Sequence, residues 1–313
     1  MSLLDGYAIK LDELKQHGNL RQFRSNRQHG RYIEINQQQM LNLSSNDYLG
    51  LAADLQLREQ FFDETPSDQR IMSASSSRLL TGNFPAYEAL EARLSQAFQG
   101  RAALLFNSGY HMNIGILPAL CDAKTLILAD KLVHASIIDG IRLSSAKYVR
   151  YRHNDLEHLR QLLQKYHLDE NFNRIIVVTE SIFSMDGDET HLAELVQIKQ
   201  QFNKVMLYVI GVRGEHGLGC AEQHGVIDEI DFLVGTFGKA LASIGGYLIC
   251  HPIIRDYLIN SMRPLIFSTA QPPICMAWSD FILQKVFTLQ QSRQHLQQIS
   301  QYLKQAVQAK GFD

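Results

Sequence analysis

Hydrophobic and polar positions change their rhythm at Arg101, where short apolar runs begin to recur between stretches with helical spacing. These apolar runs occupy residues 102–106, 125–129, 148–151, 174–179, 204–209, 232–234 and 247–250. Apolar strands that alternate with helices are typical of an α/β fold, in which helices cover both faces of a mainly parallel sheet. The pattern therefore predicts an α/β domain with a mainly parallel sheet flanked by helices.

The part of the chain before Arg101 is more polar, and its beginning is predicted to be a lead-in segment. Apolar residues at helical spacing predict helix at residues 11–15 and 20–24. Alternation at residues 31–36 and 39–43 predicts two short strands. Residues 87–98 follow with an amphipathic helical pattern.

Composition narrows the class of protein. The chain has 313 residues, 45% hydrophobic and 20% charged, which indicates a globular protein with one large domain or a large domain and a smaller partner. A net charge of -2 gives no general attraction to nucleic acid or to an anionic membrane.

The four cysteines lie far apart, without metal-ligand spacing, so a cytoplasmic location is expected. We expect no signal peptide and no membrane span, because no apolar run approaches the ~20 residues that a span needs.

Lys239 is the first candidate for chemistry. In a mainly parallel sheet, ligand sites lie beyond the carboxyl ends of the strands. Lys239 follows the run at 232–234, in a glycine-rich turn that leads into the run at 247–250. A lysine held between two buried strands is costly unless it is used, which makes it a candidate imine-forming nucleophile. The alternative is a surface lysine in an ordinary turn.

Other strand ends add groups that suit one ligand. Gly109 lies in a Ser-Gly turn between a strand and a helix, where backbone N–H groups can hold a phosphate, although a simple tight turn is the alternative. Thr236 ends the strand before Lys239. A lysine, a hydroxyl and such a turn suit an aldehyde that carries a phosphate, and pyridoxal 5′-phosphate (PLP) fits. His134 could cap a helix, pack in the core, or place its imidazole face against a flat cofactor.

Two further loops are weaker candidates. The acidic residues at 186–188 are too few and too irregular for a metal loop, so no metal is predicted. The glycines at positions 211, 214, 217 and 219 do not have the order of a dinucleotide-binding motif, and a solvent-facing loop is predicted there. A nucleotide-binding α/β protein that uses this loop is a competing hypothesis, and neither Glu215 nor His216 is assigned a role.

From about Arg21 onward, the sequence resembles the α-oxoamine synthases, which are PLP enzymes of fold type I. The segments that carry the resemblance are residues 44–51, 107–110, 130–136, 179–188, 235–240 and 267–273. The resemblance implies a lead-in segment at 1–40, a large PLP-binding domain at 41–290, and the start of a small C-terminal α/β domain at 291–313. It also implies a homodimer with sites at the subunit interface.

The resemblance implies a role for each matching residue at the cofactor. Lys239 would bind PLP as an imine and then carry a proton at the substrate α-carbon. His134 would stack on the pyridine ring and contact substrate. The backbone of Gly109 and Tyr110 and the hydroxyl of Thr236 would bind the phosphate.

Three more residues receive roles from the resemblance. Ser184 would form a hydrogen bond near the ring oxygen. Arg21 matches a residue that contacts substrate. Thr269, next to Ser268, would reach the phosphate in the neighbouring subunit.

The implied reaction is a decarboxylative condensation of L-alanine with pimeloyl-CoA, or with the acyl-carrier-protein thioester, in biotin biosynthesis. The stretch at 77–83 and the Thr-Phe-Gly-Lys order at 236–239 favour this member of the family over glycine C-acetyltransferase. The sequence is also compatible with another α-oxoamine synthase and with a non-catalytic partner subunit of the same fold. The length of the acyl chain depends on packing that sequence patterns do not describe.

The sequence departs from the family pattern in two places. The strand that ends at Val209 continues directly into Ile210-Gly211, where the family has Asp-Glu-Ala-His or a near variant. The family's aspartate pairs with the pyridinium nitrogen and its histidine contacts the ring oxygen, and neither has a counterpart here. The chain also ends at Asp313, where the small domain that normally supplies a carboxylate-binding arginine is beginning. Impaired activity is therefore expected for the chain as written.

Overall fold

The computed structural model describes residues 3–211 and 217–311. The chain divides into two compact units, Met1–Ser45 and Asn46–Asp313. Within the described residues, no helix is both long enough and apolar enough to cross a membrane.

The first unit contains one helix and a small antiparallel sheet. Helix α1 (Asp5–Gln16) is followed by strands β1 (Arg27–His29), β2 (Tyr32–Ile35) and β3 (Gln38–Leu41), with β2 in the centre of the sheet. The two strands predicted here are confirmed as β2 and β3, whereas β1 was not predicted. Its residues are all exposed and polar, so they give no apolar alternation.

The helix predicted at residues 20–24 is wrong. Helix α1 ends before it, because Gly18 takes a left-handed conformation with φ of 69°. The N–H of Gly18 then donates to the carbonyl of Lys15, and the N–H of Asn19 donates to the carbonyl of Leu14. This pairing satisfies the last carbonyls of the helix and directs the chain away from its axis.

The second unit is built on a seven-stranded sheet in the order β4-β10-β9-β8-β7-β5-β6. Its strands are β4 (Ala102–Phe106), β5 (Thr125–Asp130), β6 (Lys147–Tyr151), β7 (Arg174–Glu180), β8 (Val205–Ile210), β9 (Phe232–Thr236) and β10 (Gly246–Cys250). Strands β5 to β9 pair in parallel, whereas β10 is antiparallel to both of its neighbours. The seven apolar runs of the sequence are these strands, so the predicted mainly parallel sheet is confirmed.

Helices cover both faces of this sheet, as predicted. They are α2 (Leu55–Glu64), α3 (Pro85–Ala97), α4 (Gly109–Leu120), α5 (Ala135–Leu143), α6 (Leu156–Tyr166), α7 (Leu192–Lys199), α8 (Cys220–Gln223), α9 (Pro252–Ser261), α10 (Arg263–Ile266), α11 (Pro273–Thr288) and α12 (Gln290–Gln308). Alternate residues of each strand enter opposite cores. Leu126 and Leu128 of β5 pack with α3, α6, α7 and α11, while Ile127 and Ala129 pack with α4, α5 and α9.

The contact between β9 and β10 depends on a glycine. A Cβ added at Gly235 would lie 2.4 Å from Cζ of Tyr247. The Tyr247 ring is only 2% exposed and packs between Phe98 and Phe237, at centroid distances of 6.3 and 5.2 Å. The ring therefore has no free space into which it could move.

We expect Gly235→Ala to lower the free energy of unfolding by about 1–3 kcal/mol, because the added methyl group overpacks this core. Urea denaturation with linear extrapolation measures the change. Gly238→Ala is the matched control, since a Cβ there would lie 3.5 Å from its nearest neighbour, Oγ1 of Thr236. Equal losses in the two variants would contradict the packing argument.

Candidate active site

A cavity of about 340 Å³ opens at the carboxyl ends of the parallel strands. The residues after β7 contribute Ser184 and its neighbours from Ser181 onward, and Gly211 follows β8. Thr236 ends β9 and Lys239 lies in the loop that follows it, and both line the cavity. Helix α12 closes another side with Arg293, Leu296 and Ser300. The cavity therefore lies where ligand sites of parallel α/β sheets occur.

The loop of Lys239 is held by hydrogen bonds around Thr236. The hydroxyl of Thr236 donates to the carbonyl of Gly245 at 2.9 Å and accepts from the N–H of Gly238 at 3.1 Å. The N–H of Ala242 donates to the carbonyl of Lys239 at 2.9 Å. These contacts fix the backbone of the lysine while its side chain stays exposed at the cavity. The expectation that Lys239 is buried between two strands is therefore wrong, because the loop carries it beyond the strand ends.

The beginning of helix α4 lies against Thr236. A Cβ added at Gly109 would lie 3.8 Å from both Cβ and Oγ1 of Thr236. Ser108 caps the helix by accepting from the N–H of His111 at 3.1 Å, and the first N–H groups of a helix have no partner inside it. A helix N-terminus of this kind favours an anion, so the structure brings Gly109 and Thr236 together as a place for a phosphate.

Tyr110 and Thr269 lie near the same helix start. The exposed hydroxyl of Tyr110 donates to Oδ2 of Asp139 at 3.0 Å, and this bond with the carboxylate raises the pKa of Tyr110. The carbonyl of Thr269 accepts from Nδ2 of Asn107 at 2.7 Å, which ties the segment of Thr269 to the end of β4. Their contacts with a phosphate stay predictions.

His134 immediately precedes helix α5 and contacts Glu180, the last residue of β7. The backbone N–H of His134 donates to Oε1 of Glu180 at 2.5 Å. Its Nδ1 accepts from the N–H of Ser136 at 3.2 Å, which caps the helix. His134 therefore has the helix-capping role that the sequence allowed, and its side chain remains exposed. Packing against a cofactor ring is compatible with this role.

Glu180 is a residue of the site to which the sequence reasoning assigned no role. It ends β7 and is only 6% exposed. Burial raises the pKa of Glu180, while the N–H of His134 and the positive charge of Lys239 oppose the rise. The carboxylate thus links the candidate lysine electrostatically to the start of α5. In the sequence, the feature that could have indicated this role is an acidic residue at the end of an otherwise apolar strand.

A second carboxylate network supports the loop that follows Glu180. Nδ1 of His153 lies 2.9 Å from Oδ1 of Asp130, and Nε2 lies 2.9 Å from Oδ2 of Asp188. The imidazole also packs edge-on against Phe183 at a centroid distance of 4.4 Å. His153, Asp186 and Asp188 offer atoms within 4.8 Å of one another, but both ring nitrogens of His153 already contact carboxylates. We interpret the cluster as an ion-pair network that orients the loop of Ser184.

Some predicted positions lie outside this cavity or outside the described residues. Arg21 belongs to the first unit, where it is exposed in the irregular segment after α1. Gly217 lines the cavity, so the glycine-rich stretch is not wholly a solvent-facing loop. Gly214, Glu215 and His216 lie outside the described residues.

The residues present fit PLP in three respects. Lys239 provides an amine at the cavity, Ser184 provides a hydroxyl on its wall, and Thr236 stands beside the N-terminus of α4. The amine can bind an aldehyde, and the helix start can bind its phosphate. At the end of β8, neither Ile210 nor Gly211 provides an acidic side chain.

Comparison with known proteins agrees with a PLP site. The sequence matches the family model of aminotransferase class I and II over residues 38–313. An 8-amino-7-oxononanoate synthase from Haemophilus ducreyi is 55% identical over 319 residues, which cover 98% of this chain and 82% of that protein. The chain thus spans about four fifths of the length of this relative.

Two solved structures share the fold. A serine palmitoyltransferase from S. paucimobilis with bound PLP–myriocin aldimine matches with a TM-score of 0.87 at 26% identity, over 100% of this chain and 80% of that chain. The 8-amino-7-oxononanoate synthase from Francisella tularensis matches with a TM-score of 0.71 at 26% identity, over 86% of this chain and 76% of that chain. The predicted fold type I of PLP enzymes is therefore confirmed, and with it the cofactor.

We expect the stability of the protein to fall as pH rises above the ordinary pKa of histidine, partly through His153. Burial alone would lower the pKa of His153, but Asp130 and Asp188 outweigh it, so the pKa is raised above 6.5. Because the pKa is higher in the folded state, the protonated His153 stabilises the folded protein. This stabilisation is fully present below pH 6.5, the ordinary pKa, and is lost as pH rises through the pKa of the folded state.

Urea denaturation over this pH range tests the contribution. His153→Gln, which does not titrate, is expected to flatten the decline relative to the unchanged protein. His224→Gln removes an exposed histidine and serves as the control. An identical pH dependence in His153→Gln and the unchanged protein would contradict the role of this ion-pair network.

Proposed function

This chain belongs to the class I and II aminotransferase family, among the 8-amino-7-oxononanoate synthases, and on that premise we propose its reaction. The proposed reaction condenses L-alanine with pimeloyl-CoA, or pimeloyl-ACP, and releases CO2 and the free thiol of CoA or of the carrier protein to give 8-amino-7-oxononanoate in biotin biosynthesis. The observation that carries the proposal is the position of Lys239 on a cavity wall with Thr236, beside the N-terminus of α4. The cofactor of this PLP-dependent acyltransferase is pyridoxal 5′-phosphate.

When bound, PLP supplies an electron sink for the electrons released at the substrate α-carbon. Lys239 would hold the cofactor through its amine and move a proton at that carbon. The N–H groups of Gly109 and Tyr110 would hold the phosphate, and Ser184 would donate to the ring oxygen. The Thr236 hydroxyl would join them by turning its proton from the Gly245 carbonyl to the phosphate. The loop around Thr236 supports the lysine role because its hydrogen bonds fix the lysine backbone.

The remaining residues would orient the cofactor and substrate. His134, fixed through its backbone by Glu180, would pack on the ring and contact substrate. Arg21 would contact substrate, and Thr269 would serve the phosphate of the neighbouring subunit in a homodimer. These roles, the division at residues 40 and 290, and a cytoplasmic location are proposals that rest on the family resemblance and on the cysteine pattern.

The rate of the reaction is expected to be low. The sequence passes from Val209 to Ile210 without the acidic residue that would pair with the ring nitrogen. PLP retention depends mainly on Lys239 and the phosphate contacts, whereas the rate depends on how strongly the ring withdraws electrons. We therefore propose that the chain holds the cofactor but uses it slowly.

The competing functions make different predictions about binding and turnover. Glycine C-acetyltransferase activity is not favoured, because the similar proteins from H. ducreyi and F. tularensis are 8-amino-7-oxononanoate synthases. A partner subunit without activity would bind PLP but give no product. A nucleotide-binding protein would be stabilised by nucleotide and not by PLP.

Lys239→Ala is expected to abolish covalent attachment of PLP, because the variant lacks the amine that binds the aldehyde. Borohydride reduction followed by peptide mass spectrometry should place the label on Lys239 in the unchanged protein. Lys124→Ala removes an exposed lysine far along the sequence and should retain labelling. Labelling that persists in Lys239→Ala, or that is absent from the unchanged protein, would overturn the lysine assignment.

Product formation with L-alanine and pimeloyl-CoA or pimeloyl-ACP tests the substrates. We expect 8-amino-7-oxononanoate and CO2 in equal amounts, at a lower rate than with the H. ducreyi relative assayed alongside. Glycine with acetyl-CoA is the discriminating control and should give less product. Labelling of Lys239 without any turnover would instead support the partner subunit, and preference for glycine would support the acetyltransferase function.

A further inference from the structure

A chain of hydrogen bonds runs from the central sheet to the imidazole of His134. The hydroxyl of Tyr208 lies 2.8 Å from Oδ1 of Asn113, and Nδ2 of Asn113 lies 2.8 Å from Oγ of Ser136. Oγ of Ser136 lies 2.7 Å from Nδ1 of His134. Tyr208, Asn113 and Ser136 are 0%, 5% and 1% exposed, so water does not compete with these bonds.

The direction of this chain follows from one backbone group. The N–H of Ser136 points to Nδ1 of His134 at 3.2 Å, and because an N–H can only donate, Nδ1 carries no proton. The Ser136 hydroxyl, 2.7 Å from the same Nδ1, must therefore donate to it. Its lone pair then accepts from the Asn113 amide nitrogen, and Oδ1 of Asn113 accepts from the Tyr208 hydroxyl. The proton of the neutral imidazole is thus on Nε2.

The packing of two helices makes the chain possible. A Cβ added at Gly140 of α5 would lie 2.2 Å from the carbonyl oxygen of Asn113 in α4. Only glycine permits this approach, which brings Asn113 within reach of Ser136 at the start of α5. Burial raises the pKa of the Tyr208 hydroxyl, so the first donor of the chain stays protonated. Each polar group in the chain has a partner, as buried polar groups require.

We propose that Ser136, Asn113 and Tyr208 are positioning residues that hold His134 as the Nε2–H tautomer in one ring orientation. Glu180 fixes the backbone of the same residue, so His134 is restrained at its backbone N–H and at its ring Nδ1. A restrained ring loses less conformational entropy when a flat ligand packs on it. The consequence for PLP rests on the proposed function, whereas the tautomer does not.

Nitrogen NMR of histidine-labelled protein without added substrate tests the tautomer. His134→Asn identifies the His134 signals by their loss, since asparagine can still cap the helix. In mildly alkaline buffer the unchanged protein should show only the Nε2–H form. Ser136→Ala keeps the backbone N–H that donates to Nδ1 but loses the hydroxyl donor, so a minor Nδ1–H fraction should appear beside the Nε2–H form. Tyr208→Phe should give a smaller change in the same direction. Ser144→Ala, whose hydroxyl donates to Ile141 at the other end of α5, is the matched control and should change nothing.

A proton on Nδ1 in the unchanged protein would overturn the proposal, as would identical spectra for the unchanged protein and Ser136→Ala. If Ser136→Ala does not fold, the comparison of tautomers between Tyr208→Phe and the unchanged protein tests the proposal instead. Circular dichroism of bound PLP provides the second readout, and its intensity per bound PLP should fall in Ser136→Ala but not in Ser144→Ala. A fixed tautomer in a protein that binds no PLP would contradict the proposed function and leave the hydrogen-bond chain intact.

Discussion

Parallel pairing of strands β5 to β9 is the constraint on which the rest of the second unit depends. Parallel strands need crossover connections, and these place helices on both faces and bury the strands on both sides. Because the strands run in one direction, their carboxyl ends meet at a single edge of the sheet. Thr236 and Ser184 reach one cavity for this reason, although 52 positions separate them in sequence. The loop between β9 and β10 adds Lys239 to the same edge.

Two buried carboxylates at this edge, Asp130 and Glu180, are paired, and these pairs restrict the loops around the site. Asp130 is fully buried at the end of β5 and accepts from the backbone of Leu132 and Asn154 as well as contacting His153. Glu180 accepts from the backbone of His134. An unpaired buried carboxylate would cost several kcal/mol, so each of these contacts strongly restricts the loop that supplies its partner. Fixed loops at strand ends are what a site of defined geometry requires.

Because the groups that would hold the cofactor come from other elements than β8, binding of the cofactor and the rate of the reaction depend on different parts of the sheet. The lysine, the hydroxyl of Thr236 and the start of α4 belong to three elements that the sheet holds together, and none of them includes the end of β8. A change at the end of β8 therefore leaves the groups for aldehyde and phosphate in place. The chain is 55% identical to an 8-amino-7-oxononanoate synthase but differs from the family pattern after Val209. Binding without fast turnover is the physical consequence that we propose.

The sequence by itself determined the seven strands, the covering helices and the strand-end positions of Lys239, Thr236 and Gly109, because apolar periodicity and glycine turns are local signals. It failed at residues 20–24, where the left-handed Gly18 ended the helix early. Only the tertiary structure decided the role of Glu180, which contacts a residue 46 positions away, and of Tyr208, whose partner Asn113 is 95 positions away. It also decided that Lys239 is exposed at a cavity. Contacts between distant residues depend on how the helices pack across the sheet, and no local pattern records that packing.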